Sequence, residues 1–192
     1  KPLPSSIGFS NVKVNAGKVR NSGIDFTLNT VNINSKTWGW DTSLNLSFLK
    51  NRVKELPAFI PELITGSVSS FISGYEITRV GDPIYSYYGY EVEGIFQKDD
   101  NIASSAQPNA KPGELKFKNQ DSDNAITSND RVVLGKPFPD VTFGFTNSLR
   151  YKNFSLSIFV QGVLGIQTLD ANVIETLYPT NEYRNRIAKY YT

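Results

Sequence analysis

The sequence has no cysteine and no histidine. Lack of cysteine excludes disulfides, thiolate zinc sites and cysteine nucleophiles. Lack of histidine excludes Ser-His-Asp triads, HExxH zinc sites and most general-base chemistry near neutral pH. The chain is therefore read as not an enzyme. An excess of charge of one sign is also missing: 20 basic and 18 acidic residues leave a formal charge of +2. The densest basic group is Arg184, Arg186 and Lys189. No clustered basic face of the kind nucleic acid requires is present, so no nucleic-acid partner is expected. Nor does any apolar run reach the roughly 18 residues of a membrane helix. The best stretch, 155–166, is short and interrupted by Gln161, Gly162 and Gly165. The opening Lys1-Pro2-Leu3-Pro4 is not a secretory leader, so an exported parent would carry its leader outside this sequence.

Aromatic residues, by contrast, are plentiful, with 10 Tyr and 12 Phe. They sit in a chain of negative mean hydropathy, −0.31. Alternating strands produce that combination. Ile24, Phe26 and Leu28 alternate with Asp25, Thr27 and Asn29. After a polar turn at Asn34-Ser35-Lys36, Trp38, Trp40, Thr42, Leu44, Leu46 and Phe48 alternate with Gly39, Asp41, Ser43, Asn45 and Ser47. This run is about as long as the 9–11 residues of a tilted membrane strand. Val141, Phe143, Phe145, Leu149 and Tyr151 repeat the pattern. Lys152-Asn153 then reads as a two-residue turn into Phe154, Leu156, Ile158 and Val160.

The expected organisation is a hairpin over 22–50, a long excursion over 51–139, a second hairpin over 140–163 and a loop or tail over 164–192. The excursion carries Pro57, Pro61, Pro83, Pro108, Pro112, Pro137 and Pro139. A shorter strand pair is expected inside it, near Tyr75–Arg79 and Tyr85–Phe96, and a short helix near Glu182–Tyr190. Short turns at one end and a long excursion at the other are the asymmetry of outer-membrane barrels. Trp38, Trp40, Tyr151 and Phe154 all fall beside the short turns, where an aromatic girdle would lie. The alternative is a soluble β-sandwich with one wet face, a secreted domain binding glycan or calcium. Four long strands cannot close a barrel in lipid, so the membrane reading makes the chain a fragment.

A series of colinear motifs bears on that choice. Asn15-Ala16-Gly17-Lys18-Val19-Arg20-Asn21-Ser22-Gly23-Ile24-Asp25 is followed by Trp38-Gly39-Trp40 and Asn45-Leu46-Ser47-Phe48-Leu49-Lys50-Asn51-Arg52-Val53. Next come Gly81-Asp82-Pro83-Ile84, Tyr88-Gly89-Tyr90, Gly94-Ile95-Phe96 and Pro112-Gly113-Glu114-Leu115-Lys116-Phe117. Asp121-Ser122-Asp123-Asn124-Ala125-Ile126, Asp130-Arg131-Val132-Val133-Leu134-Gly135-Lys136-Pro137, Phe143-Gly144-Phe145 and Tyr151-Lys152-Asn153-Phe154 complete the series. In this order they resemble the C-terminal barrel region of SusC/RagA-family TonB-linked outer-membrane proteins. The resemblance implies an all-β fold: antiparallel strands of a large transmembrane β-barrel with a long extracellular loop region. It further implies an importer of oligosaccharides or peptides in the Gram-negative outer membrane. That importer would work with a SusD-like surface lipoprotein and take energy from TonB through an N-terminal region. The plug domain, the TonB box and the barrel's terminal strand are not recognisable in this sequence.

Several residues invite specific roles. Asn119, Asp121 and Asp123 stand at positions 1, 3 and 5 of an EF-hand-like register, with the Ala125 carbonyl at 7 and Asp130 at 12. Hard oxygen ligands at this spacing suit calcium, which would brace a loop. The alternative is an Asx-rich turn with no ion. Tyr85, Tyr87, Tyr88 and Tyr90 offer flat faces for sugar stacking, against simple packing within the excursion. Glu91 and Glu93 would lie on one strand face, roughly 6.5–7 Å apart, near the spacing of an inverting glycosidase pair. A solvated face explains them more simply. Arg131 is read as pairing with a carboxylate or as solvated.

On the barrel reading, Ile24, Phe26, Leu28, Leu44, Leu46, Phe48, Val141, Phe143, Phe145, Leu156, Ile158 and Val160 face lipid. Asp25, Asn29, Asn45, Ser47, Thr142, Ser148 and Arg150 face the lumen.

Overall fold

The computed structural model describes residues 17–68 and 72–173. The helix expected near Glu182–Tyr190 lies outside the described residues. Ten strands follow in chain order: β1 Lys18–Asn34, β2 Trp38–Glu55, β3 Glu62–Ser67, β4 Ser73–Arg79, β5 Ser86–Tyr90, β6 Val92–Ile95, β7 Leu115–Phe117, β8 Arg131–Gly135, β9 Val141–Tyr151 and β10 Phe154–Leu164. They form three antiparallel sheets, ordered β1-β2-β9-β10, β3-β4-β5-β8 and β6-β7.

The first sheet decides what kind of protein this is. A sandwich would pack the two long hairpins face to face. Instead β2 pairs with β9, and the hairpins continue one another in a single layer. The register then sorts every side chain, because residues directly opposite across strands share a face. One cross-strand row holds Ile24, Phe48, Val141 and Leu164. The next holds Phe26, Leu46, Phe143 and Gly162, and the third Leu28, Leu44, Phe145 and Val160. All the residues expected to face lipid lie on this face. It carries no charged side chain between the Ile24 row and the turns.

The opposite face holds Asp25, Ser47 and Thr142 in one row and Thr27, Asn45 and Gln161 in the next. Ser47 Oγ donates to Asp25 at 2.5 Å and Thr27 Oγ1 to Asn45 at 3.0 Å. Val31, Leu49, Phe159 and Val163 are among its apolar members. Phe159 lies over Gly144, its ring 3.5 Å from where a Cβ would stand.

Among the described residues nothing covers the apolar face. Ile24 is 70% exposed and Phe154 78%. Among the described residues the buried hydrophobic side chains are Val53, Ile77 and Phe96, and none lies on those apolar rows. A water-soluble domain of this length would bury far more. A sheet with an apolar face interrupted by one hydrogen-bonded polar row, a polar reverse and no core among the described residues suits lipid on one side and water on the other. Ten steps along β9 at about 3.4 Å, tilted by about 40°, give a band about 26 Å tall, which matches the apolar belt of outer-membrane barrels.

Polar groups do enter this face nearer the turns, where Thr42 and Asn147 pair. They satisfy one another. Asn32 Nδ2 donates to Thr42 at 2.8 Å, Thr42 Oγ1 to Asn147 at 3.0 Å, and Trp40 Nε1 to the same Asn147 oxygen at 2.9 Å. Paired groups of this kind are tolerable next to lipid. Beyond them Trp38 stacks on Tyr151 with ring centroids 4.5 Å apart. The two turns are tied together by the Lys152 N–H, which donates to Thr37 O at 2.8 Å, while Lys152 adopts φ 51°.

The excursion is more structured than its prolines suggest. Besides β4, β5 and β6 near the expected positions, it holds β3, β7 and β8, which were not anticipated.

Arginine at Phe145 or Leu46 is expected to cost about 2–4 kcal/mol of barrel stability, the range for a cation near the bilayer midplane. Either change should abolish membrane association with heat-modifiable gel mobility. Asn45→Lys, on the polar reverse, should leave both intact. Normal assembly of Phe145→Arg would reverse the assignment of faces.

Candidate functional site at the loop end of the sheet

β2 outlasts its partner. Its pairing with β9 ends at Phe48 opposite Val141. The remaining edge groups still need hydrogen bonds. Leu49 N donates to Asp140 O at 3.0 Å, Val53 N to Asp82 O at 2.9 Å, and Gly81 N to Val53 O at 3.0 Å. Gly81 makes this approach with φ +100°, a conformation that L side chains rarely adopt. The Ile84 N–H donates to Asn51 Oδ1 at 2.8 Å. The turn is set by the Arg79–Asp82 ion pair at 2.5 Å. Behind it Ile77 and Ser86 are fully buried, with Ser86 Oγ donating to Pro83 O at 2.8 Å. A cleft of about 650 Å³ opens where this turn, the β1–β2 extension and residues 136–140 meet.

The four candidate tyrosines do not form one platform. Tyr88 carries the Arg131 guanidinium over its ring at 4.3 Å. Tyr90 packs on Phe117 with ring centroids 5.4 Å apart. Tyr87 is half-buried beside Glu76 and Gly135. Tyr85 stands apart: it precedes β5, is 47% exposed and takes φ 57°. A bulky residue held in the left-handed region is a recurrent mark of a functional position. Thr78 Oγ1 holds it there by accepting its N–H at 3.2 Å.

Arg131 neither pairs with a carboxylate nor lies free in solvent. It donates to Gly74 O and, at 3.1 Å, to Tyr88 O, bracing three strands of the excursion's sheet. Glu91 accepts from Gln120 at 2.9 Å and pairs with Lys118 at 3.1 Å. These contacts hold its carboxyl below the usual range, opposite to what a general acid needs. Glu93 pairs with Lys116 at 3.8 Å.

Asp130 turns inward and is fully buried. One oxygen accepts the Gln120 N–H at 2.7 Å, the other the Thr127 N–H at 2.7 Å. Thr127 and Asp130 form a capping box around the short 3₁₀ turn 128–130. Asp121 accepts from Asp123 N at 3.2 Å and Asp123 from Ala125 N at 2.8 Å, both Asx turns. Asn119 Nδ2 donates to Asp123 O, while its Oδ1 is buried without a partner. Among the described residues no three carboxylates gather into a shell that could hold a metal ion. As it stands, the loop is braced by Asp130 itself. Thr127 and Gln120, missed in the sequence, carry that bracing; the Thr127-x-x-Asp130 spacing was the available signal.

No family model matches the chain. TonB-dependent receptor P3 of Formosa agariphila is 34% identical over 178 residues, covering 91% of the chain and 18% of that receptor. TonB-dependent receptor SusC of Bacteroides thetaiotaomicron is 28% identical over 207 residues, covering 97% of the chain and 19% of SusC. The RagAB peptide importer in its open-open state shares the fold, with a TM-score of 0.63, 20% identity, and coverage of 86% of the chain and 17% of the importer chain. The chain thus spans less than a fifth of the length of these relatives.

Asp130→Asn and Arg131→Lys should each loosen the excursion in the full-length parent. Loss of the Arg131 fork is expected to raise local opening by about 1–2 kcal/mol, a 5–30-fold faster amide exchange around Gly74 and Tyr88. The backbone N–H bonds of Thr127 and Gln120 hold the Asp130 carboxyl below its ordinary range. Its contribution is therefore complete above the ordinary carboxylate pKa and is lost as pH falls through the depressed value. After correction for intrinsic exchange, protection at 120 and 127 should persist at neutral pH and disappear only in acid. Calcium chelation should leave this protection unchanged; a calcium-dependent gain would mean that Asn119, Asp121 and Asp123 reorganise around an ion.

Proposed function

We propose that this chain, which is SusC/RagA-like along most of its length, forms part of the barrel wall of a TonB-dependent outer-membrane importer. The observation that carries the reading is the register of the β1-β2-β9-β10 sheet, which leaves an uncovered apolar face of membrane height. That face meets lipid, and the Asp25, Asn45, Thr142 and Gln161 side lines the lumen. The short turns at 35–37 and 152–153 are periplasmic, and the excursion over 51–139 is extracellular. The cargo class is oligosaccharide or peptide. A SusD-like surface lipoprotein is the partner at the extracellular side, and TonB supplies energy through the parent's N-terminal region. This stretch supplies wall and loop; nothing in its chemistry points to catalysis.

Within the excursion, Tyr85 is the residue proposed to touch cargo. Tyr88 and Tyr90 serve the loop's own packing, since Arg131 and Phe117 already occupy their rings.

The parent should be recovered from detergent-extracted outer membranes with a heat-dependent gel shift, and a surface lipoprotein should co-purify with it. Recovery wholly in the soluble fraction would sink the proposal. Tyr85→Ala should reduce cargo uptake several-fold while leaving assembly and excursion protection unchanged. Tyr88→Ala should do the reverse, raising exchange around Arg131 before it affects uptake.

A further inference from the structure

The apolar face does not simply end at the Ile24–Phe48 pair. β1 and β2 run on together for several residues beyond it, and their side chains on that same face change character at once. Ser22 lies opposite Lys50 and Arg20 opposite Arg52, with Lys54 next along β2. Arg20, Ser22, Lys50, Arg52 and Lys54 line one shallow groove of about 200 Å³. All four cations are exposed. Among the described residues none has a side-chain hydrogen bond or ion pair; the nearby Lys18–Glu55 pair at 2.8 Å is complete in itself. The reverse of these strands is different, because there Val53 is buried and Asn51 holds the Ile84 N–H.

Two arginines directly opposite across a strand pair repel one another. In a chain of net charge +2, four unpaired cations on one small surface are a concentration that calls for an anion. Their height names which anion. Lys50 lies two residues and Arg52 four residues beyond Phe48, which is about 5 and 10 Å above the apolar band after tilt. The headgroup layer extends about 5–7 Å beyond the apolar core, so Lys50 lies within it and Arg52 reaches back into it with its long side chain. The groove opens on the side that faces lipid, at the end bearing the long loop, hence toward the outer leaflet.

We propose that Arg20, Lys50, Arg52 and Lys54 form a site for the phosphate groups of outer-leaflet lipids, against the outside of the barrel. The guanidinium forks of Arg20 and Arg52 bind phosphate oxygens in pairs, and Lys50 and Lys54 add point charges on either side. The acyl chains of the same lipid then lie along the Ile24, Phe26 and Phe48 rows. The site thereby anchors the receptor's loop end at a fixed height. This inference rests on the barrel reading above.

The test uses the full-length receptor, purified in detergent, delipidated, and incubated with bisphosphorylated lipid A or its dephosphorylated form. Native mass spectrometry counts what stays bound. Wild type is expected to retain the bisphosphorylated lipid at least about tenfold better than the dephosphorylated one. Arg20→Gln, Lys50→Gln, Arg52→Gln and Lys54→Gln combined should abolish that preference. A control with Lys98→Gln and Lys111→Gln, in the excursion, should keep it, and excess inorganic phosphate should not displace the lipid. Equal retention of the two lipids by wild type, or an undiminished preference in the quadruple variant, overturns the proposal. So does loss of a co-purifying protein in place of lipid. Outer-membrane recovery with heat-modifiable mobility is checked for wild type and quadruple variant alike. A wild type lacking it refutes the barrel reading, and a variant that keeps it while losing the lipid supports the site alone.

Discussion

The structure turns on one constraint: a single sheet whose register puts the large apolar side chains of its middle rows, Phe159 excepted, on the same side. Slipping β2 against β9 by one residue would place Leu44, Leu46 and Phe48 beside Thr142, Gly144 and Thr146 and destroy both faces. The backbone ladder fixes the register, and the two short turns fix the ladder. Lys152 N bonded to Thr37 O locks one turn against the other, so the hairpins cannot slide independently. Given that register, and with no core behind it among the described residues, the apolar face suits lipid better than water.

The rest of the molecule answers a problem that the sheet creates. β2 runs past the end of β9, and a bare strand edge pairs with whatever it meets. The Gly81–Ile84 turn and Asp140 take those groups, which seats the excursion on the loop end of the sheet. From there the polar network propagates outward. Thr78 holds Tyr85 in a left-handed conformation, Ser86 secures the preceding turn at Pro83, Arg131 ties β8 to β4 and β5, and Asp130 folds the 120–130 loop onto its own amides. Each group is fixed by neighbours that are themselves hydrogen-bonded, so a long, proline-containing excursion becomes a defined surface.

The two hairpins were legible in the sequence because a half-exposed strand writes its facing in a period of two. That period is why Ile24 through Val160 could be assigned to one side without coordinates. The pairing of β2 with β9 was not legible, since residues 56–140 separate them and alternation within a strand says nothing of its neighbour. In the excursion, β7 and β8 were missed because three- and five-residue strands between prolines carry too few side chains to show a period. The role of Arg131 is illegible in the sequence for a related reason: its partners are the carbonyls of Gly74 and Tyr88, and backbone acceptors leave no trace in a sequence. The calcium register placed Asp130 among candidate ligands by spacing, whereas burial and two backbone N–H donors give it a structural task. The cations at Arg20, Lys50, Arg52 and Lys54 escaped notice because they form no block in sequence; only the register of β1 on β2 brings them together.

The most direct test is an accessibility scan along β9 in the membrane-assembled protein. Single cysteines at 141 through 151, on a cysteine-free background, would carry a spin label and be probed with oxygen, which partitions into lipid, and with a water-soluble nickel chelate. The account predicts a period of two, with Val141, Phe143, Phe145 and Leu149 accessible to oxygen and Thr142, Gly144, Thr146 and Ser148 accessible to nickel. Uniform exposure to the nickel chelate, or the opposite phase, would contradict it.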